Sequence, residues 1–284
     1  MKFTKMEGCG NDYIYIDGSR EQVADKPELA RRLSDRHYGI GSDGVIFINP
    51  SEKADFEMEM YNSDGSYSEM CGNGIRCVAK YVYDNGLTTK NPLTIESAGS
   101  VKTLDLHLKD GKVDSVTVNM GEPILEAEKI PLDVTKLADE GDGNTDRAIR
   151  LVFGGETAEK RMTAVSMGNP HAVYFVEDTE ALDLEKIGPV HEHHPAFPKA
   201  VNTEFVQVLD RTHLRMRVWE RGAGETLACG TGASAVLVAA VLNGKCERKA
   251  EIELRGGKLT IEWKEEDNCV YMTGPARTVF TGEV

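Results

Sequence analysis

The chain repeats itself once, at a fixed offset of 158 residues. Gly10-Asn11 recurs as Gly168-Asn169, Cys71-Gly72-x-Gly74 as Cys229-Gly230-x-Gly232, and Asn85-Gly86 as Asn243-Gly244 (169 − 11, 229 − 71 and 243 − 85). Gly and Asn coincide easily by chance. Seven identities in one frame, one of them a cysteine, do not. A repeat of this size constrains the fold more than composition does: the chain must build two similar units, each burying its own apolar face.

The surroundings of the repeated motifs predict elements. Gly10-Asn11 leads into Tyr13-Ile14-Tyr15-Ile16, and Gly168-Asn169 into residues 172–176; both are β-branched and aromatic runs that predict buried strands. Each Cys-Gly-x-Gly opens a segment that reads as helix, and Asn-Gly closes it, where a left-handed residue favours Gly or Asn. Leu104, Leu106 and Leu108 alternate ahead of an Asp110-Gly111 turn and a strand over 113–118. In the second half, residues 252–254, Gly256-Gly257 and 259–263 follow the same plan.

The expected fold class is α+β: two pseudo-symmetric halves, each a β-rich, barrel-like sheet around a central apolar helix. The halves are expected over residues 1–120 plus 275–284 and over 121–274. Gly121-Glu122-Pro123 is the crossover, and Gly274-Pro275 begins the return. The acidic, Gly-rich stretch 138–146 predicts an exposed loop.

Composition enters as exclusion. The 284 residues are 40% apolar and 28% charged, an ordinary globular balance. A net charge of −14 repels phosphate backbones, so no nucleic-acid partner is expected. The start of the chain has no apolar h-region, and the most apolar run, residues 233–242, is half the length of a membrane span; it predicts a core helix. A cytoplasmic, reducing setting and no membrane partner are therefore expected, with the six irregularly spaced cysteines as free thiols. His191-Glu192-His193-His194 lacks the spacing of a zinc helix and sits beside Pro195 and Pro198, so it predicts a solvated loop and no metal site.

A cysteine at a helix N-terminus sits in an electropositive place. Free N–H groups and the helix dipole favour a thiolate and are expected to lower its pKa. Adjacent glycines let a ligand approach the backbone, and the same N–H groups bind a carboxylate. Two such turns related by a repeat can face each other. Inverting a carbon centre needs a proton taken from one face and another delivered to the opposite face, which two opposed acid–base groups achieve. Cys71 and Cys229 are the candidate pair. Cys9, Cys77, Cys246 and Cys269 lack the setting.

Upstream of each cysteine lies a polar stretch, Tyr61-Asn62-Ser63-Asp64-Gly65 in one half and residues 219–226 in the other. At the 158 offset Asn62 matches Glu220, and Ser63 matches Arg221. An Arg grips a second carboxylate bidentately, while Glu and Asn receive an ammonium group, which favours a substrate with an amino-acid end away from the reacting carbon. A surface ion pair is the alternative.

These segments together resemble diaminopimelate epimerases along nearly the whole chain. The resemblance rests on Gly10-Asn11-Asp12, Asn62-Ser63-Asp64-Gly65-Ser66, residues 70–77, Met167-Gly168-Asn169-Pro170-His171, Asn202-Thr203-Glu204-Phe205, and residues 220–226 through Cys229-Gly230-Thr231-Gly232. Proline racemases share the paired cysteines but have His where this chain has Asn73, and lack the Glu-Arg-Gly-Ala-Gly-Glu-Thr stretch.

The resemblance implies a homodimer interconverting LL- and meso-diaminopimelate, for lysine and cell-wall precursors, with no cofactor and no metal. It implies substrate contacts from Asn11, Asn62, Asn169, Asn202, Glu220 and Arg221. Gly72, Asn73, Gly230 and Thr231 would hold the α-carboxylate, and His171 and Glu220 would tune the thiols. One departure stands out: some members carry Gln where this chain has Gly44, leaving at most a backbone contact there. The competing expectations are a proline or hydroxyproline racemase, separable by assay of the two substrates, and a non-catalytic amino-acid-binding protein, separable by solvent-deuterium exchange.

Overall fold

The structure, a computed structural model, describes residues 1–68, 71–139, 143–153 and 156–284. Its elements run β1 (Lys2–Gly8), β2 (Asn11–Asp17), α1 (Lys26–Ser34), β3 (Gly44–Asn49), β4 (Phe56–Asn62), β5 (Tyr67–Ser68), α2 (Gly72–Asp84), β6 (Leu93–Ser97), β7 (Ser100–Lys109) and β8 (Lys112–Gly121). They continue β9 (Arg147–Phe153), β10 (Glu156–Ser166), β11 (Pro170–Phe175), α3 (Leu184–Glu192), β12 (Asn202–Asp210), β13 (His213–Glu220), β14 (Gly224–Thr226), α4 (Gly230–Leu242), β15 (Lys249–Leu254), β16 (Gly257–Trp263), β17 (Val270–Pro275) and β18 (Arg277–Glu283). The chain forms two compact units, Met1–Asn119 with Thr273–Val284, and Met120–Met272.

In the first unit β2 runs parallel to β3 and antiparallel to β1, and β3 pairs antiparallel with β4. The alternation along β2 decides what each face meets. Ile14 and Ile16 pack with Leu29, Ala30 and Leu33 of α1, while Tyr15 reaches the first turn of α2. Helix α2 lies against β1, β2, β6 and β7 and buries Ile75, Val78, Ala79 and Val82.

The second unit follows the same plan. Strands β11 and β12 run parallel, and α4 packs on β10, β11, β12, β15 and β16. Residues 233–242 lie within α4, ten of whose thirteen residues are buried, as the sequence expectation of a core helix requires. Among the described residues no helix is long and apolar enough to cross a membrane.

The repeat reaches further than its identities. α1 and α3 span nine residues each at the same offset (184 − 26), and their N-caps, Asp25 and Asp183, accept from Glu28 and Lys186 N–H at 3.0 and 3.3 Å. α2 and α4 end alike. Gly86 and Gly244 adopt φ +70° and +66°; Leu87 N–H bonds Val82 O at 2.9 Å and Lys245 N–H bonds Ala240 O at 2.8 Å, the wide bond of a Schellman cap. An added Cβ at Gly244 meets nothing within 4 Å, so Gly244→Ala isolates the left-handed strain. It is expected to cost about 1 kcal/mol, read as a lower denaturation midpoint at unchanged slope.

Three sequence expectations need correction. His191 and Glu192 belong to α3 and are not a solvated loop: His191, Glu192 and His194 are buried, at 3%, 6% and 8% exposure. His191 packs edge-on against the stacked pair Tyr174 and Phe205, with ring centroids 4.8 and 5.0 Å away, an apolar setting that pushes its pKa down to about 4. The turn between β15 and β16 falls on Arg255 and Gly256, since Leu254 pairs with Gly257. Of the 138–146 stretch, residues 140–142 lie outside the described residues. Asn144 is buried, and its side chain donates to Ala164 O, so the stretch is not uniformly an exposed loop.

Candidate active site

Cys71 and Cys229 are the N-caps of α2 and α4. Both have extended backbone, φ −136° and −127°, and each Sγ accepts from the backbone N–H three residues on, Gly74 at 3.3 Å and Gly232 at 3.4 Å. The helical ladders begin with Ile75 N–H on Cys71 O and Ala233 N–H on Cys229 O, both 2.9 Å. The N–H groups of Gly72, Asn73, Gly230 and Thr231 therefore lie before the ladder, at the positive end of the dipole, where an anion fits. Glycine at position 232 is enforced: a Cβ would stand 2.7 Å from Glu204 Oε1 and 3.2 Å from Cys229 Sγ.

Around half-buried Cys71, Asn11 Oδ1 accepts from Sγ at 3.1 Å. Asp43 orients that amide: Asn11 Nδ2 donates to its Oδ2 at 2.6 Å, and Arg36 meets both Asp43 and Asp12, at 2.9 and 2.8 Å. Asn73 is buried at 3% exposure, its Oδ1 taken by Arg76 Nη2 at 2.9 Å, so only its backbone is placed to meet a ligand. Arg76, wholly buried, also donates to Gly72 O at 3.1 Å and to Pro275 O at 3.2 Å, tying down the first turn of α2. Asn62 ends β4, its Nδ2 on Ser66 Oγ at 3.0 Å.

Around buried Cys229 the polar groups differ. His171 and Glu204, both with no exposed side chain, pair at 2.7 Å through Nδ1 and Oε1, and the other ring nitrogen meets Asn169 Oδ1 at 3.0 Å. Asn169 Nδ2 donates to Thr231 Oγ1 at 3.3 Å, and Thr231 Oγ1 lies 3.5 Å from Cys229 Sγ. Glu220 accepts from Thr226 Oγ1 at 2.5 Å; burial pushes its carboxyl up against the opposing pull of the Thr226 and Cys229 side chains.

Asn202 is buried with both ends engaged, Nδ2 on Pro170 O at 2.9 Å and Oδ1 on Arg221 N–H at 3.0 Å. It shapes the 220–224 turn, as does Glu192, which accepts from Gly222 N–H at 2.9 Å and Trp219 Nε1 at 2.7 Å. Arg221 is exposed, with Nη1 on Lys199 O at 3.1 Å.

The expected lowering of the thiol pKa values is not what this environment produces. Burial outweighs the helix N–H groups, and both thiols are pushed up. Cys71 is raised by desolvation against the opposing pull of Gly74, Asn73, Arg76 and Tyr13. Cys229 is pushed well above the ordinary thiol value, because the Glu220 and Glu204 carboxylates add to desolvation. The two turns are alike in geometry and unlike in charge: cationic and neutral donors face Cys71, carboxylates face Cys229.

The sequence reading missed Tyr13, Asp43, Arg76, Glu192 and Glu204 as parts of the site. The one available signal was position in the repeat: Tyr13 stands where the second half has His171 (171 − 13 = 158). Among the described residues no group of three or more His, Cys, Asp or Glu is placed to hold a metal ion.

Comparison with known proteins places the chain. A family model described as diaminopimelate epimerase matches residues 3–126 and 163–279. A diaminopimelate epimerase of Acetivibrio thermocellus is 58% identical over 284 residues, covering 100% of this chain and 98% of the relative. One of Desulfovibrio desulfuricans is 55% identical over 283 residues, covering 100% and 98%. Among solved structures, a phenazine biosynthesis protein of the PhzF family from Bacillus anthracis superposes with TM-score 0.69 at 16% identity, covering 100% of this chain and 98% of that one, a likeness of fold.

Proposed function

Because the chain belongs to the diaminopimelate epimerase family, whose reaction interconverts the LL and meso isomers in lysine biosynthesis, we propose that Cys71 and Cys229 are the two acid–base groups of that reaction. One thiolate takes the α-proton and the opposite thiol returns a proton to the other face. The observation that carries this is the duplicated N-cap: two cysteines at the same helical position, each with Sγ on the third N–H of its helix. The N–H groups of Gly72, Asn73, Gly230 and Thr231 receive the α-carboxylate and the charge that gathers there as the proton leaves. The substrate's ammonium brings positive charge that favours a thiolate in a site whose burial opposes one.

Asn11 and Asn169, each in the hydrogen-bond shell of its own thiol turn, contact the substrate near the reacting carbon, and His171 and Glu220 set the proton affinity of Cys229. Asn62, Glu220 and Arg221 bind the distal amino-acid end, and Asn202 serves that end through the turn it holds at Arg221 rather than by direct contact. The catalyst works as a homodimer in the cytoplasm, with no cofactor and no metal.

The purified protein, reduced and without added pyridoxal phosphate or metal, is expected to convert LL- into meso-diaminopimelate in D₂O and to place deuterium on the α-carbon. Turnover that appears only after a cofactor or metal is supplied, or preference for proline, sinks this reading.

A further inference from the structure

The face of β2 toward α2 carries Asn11, Tyr13 and Tyr15 in alternation. Asn11 holds Cys71 Sγ at 3.1 Å, and the Tyr15 hydroxyl donates to Gly74 O at 3.3 Å. Between them the alternation of the strand turns Tyr13 toward the same first turn of α2, where the phenol and the Cys71 thiol each weigh on the other's ionisation. Tyr13 is 5% exposed, and a buried phenol favours a polar group to donate to.

The repeat gives this position a meaning. Tyr13 is the counterpart of His171, two residues beyond Asn11 as His171 is two beyond Asn169. The strand register agrees: Tyr13 pairs with Gly44 across β2 and β3, and His171 with Asn202 across β11 and β12. The first half has neither carboxylate nor amide to match the second. Glu204 corresponds to Ile46 and Asn202 to Gly44 (204 − 46 and 202 − 44, both 158). Nor has position 44 room for a side chain. A Cβ there would stand 2.1 Å from Tyr61 O and 2.9 Å from Tyr13 Cε1. The Tyr13 ring thus lies where a side chain at position 44 would begin.

We propose that Tyr13 is a positioning residue for Cys71, donating a hydrogen bond to its thiolate when the thiol ionises, at the repeat position that His171 fills in the second half. The inference rests on the reading of Cys71 as one of the two acid–base thiols. A phenol suits the place because it donates without competing for the proton: burial pushes its own ionisation far up. The O–H···S⁻ bond is charge-assisted and favours the ionised thiol. Removing it raises the Cys71 pKa, so the acid limb of the rate profile moves to higher pH in the direction that needs the Cys71 thiolate.

The test is Tyr13→Phe in the full-length enzyme, assayed from both isomers across pH, with Cys71→Ala beside it and thermal melting of each. Tyr13→Phe is expected to lower kcat about tenfold, to leave KM within about twofold, and to shift the acid limb upward in one direction only. An inactive Cys71→Ala with an unmoved Tyr13→Phe profile overturns the role of Tyr13 alone, whether kcat falls or not. Near-normal turnover by Cys71→Ala overturns the two-thiol reading and this role with it.

Discussion

Cys71→Ala and Cys229→Ala are each expected to lower epimerisation by about 10²- to 10⁴-fold, the range that a positioned acid–base group supplies. The reason is stereochemical. With one thiol gone, one face of the α-carbon has no proton donor, whatever the other face can do. The surviving thiol still removes a proton from the isomer that presents it on that side. The two variants should therefore favour opposite isomers in single-sided exchange, read as deuterium uptake without net inversion. Each cysteine is also an N-cap, and replacing a cap by Ala costs about 1 kcal/mol of helix stability. Cys→Ser puts a hydroxyl oxygen in the capping place and separates the two effects: it should restore the melting temperature and not the epimerisation. If either Ala variant inverts the centre at near the normal rate, the duplication is only structural.

The unlike surroundings of the thiols add a sign to this experiment. Carboxylates face Cys229, whereas Arg76 and Tyr13 face Cys71. The carboxylates add to burial in holding the proton at Cys229, while Arg76 and Tyr13 oppose burial at Cys71, so Cys71 is expected to ionise first as pH rises. Cys229→Ala should leave a protein whose remaining exchange starts at lower pH than that of Cys71→Ala.

What could be read from the sequence divides along a physical line. The helices, their Cys N-caps and their Asn-Gly ends were legible because a cap is a local demand: one residue type at one backbone position answers it. The α1 and α3 pair obeys the same repeat yet passed unnoticed, since only the capping Asp25 and Asp183 carry it. His191 was misread because Pro195 and Pro198 signalled a loop, while what places the ring is its packing against Tyr174 and Phe205. Tyr13 was hidden for a related reason. Tyr13-Ile14-Tyr15-Ile16 reads as one apolar run, and only the pairing of β2 with its neighbours says which residues turn toward α2. The sign of the thiol shifts was out of reach because burial, the largest cause, depends on the whole packing around each sulfur.

Arg221→Ala is expected to reduce kcat/KM for diaminopimelate by roughly 30-fold or more, the loss that follows when a desolvated carboxylate gives up its charged partner. In the ligand-free chain the guanidinium is exposed and leans on Lys199 O. Taken alone that looks like a surface residue. Its backbone argues otherwise. Buried Asn202 fixes the Arg221 N–H, buried Glu192 fixes the Gly222 N–H, and Gly222 holds φ +75° to close the turn. A surface ion pair needs no such scaffold, whereas a side chain that must meet a distal carboxylate gains from a turn that does not wander. Arg221→Lys keeps the charge and loses the two-pronged geometry, so it should fall between the wild type and Ala. The decisive comparison uses a substrate analogue lacking the distal carboxylate. Wild type and Arg221→Ala should process it equally slowly, because the interaction removed from the enzyme is the one already missing from the substrate. If kcat/KM for diaminopimelate barely changes in Arg221→Ala, the residue is a surface group and the distal end is recognised elsewhere.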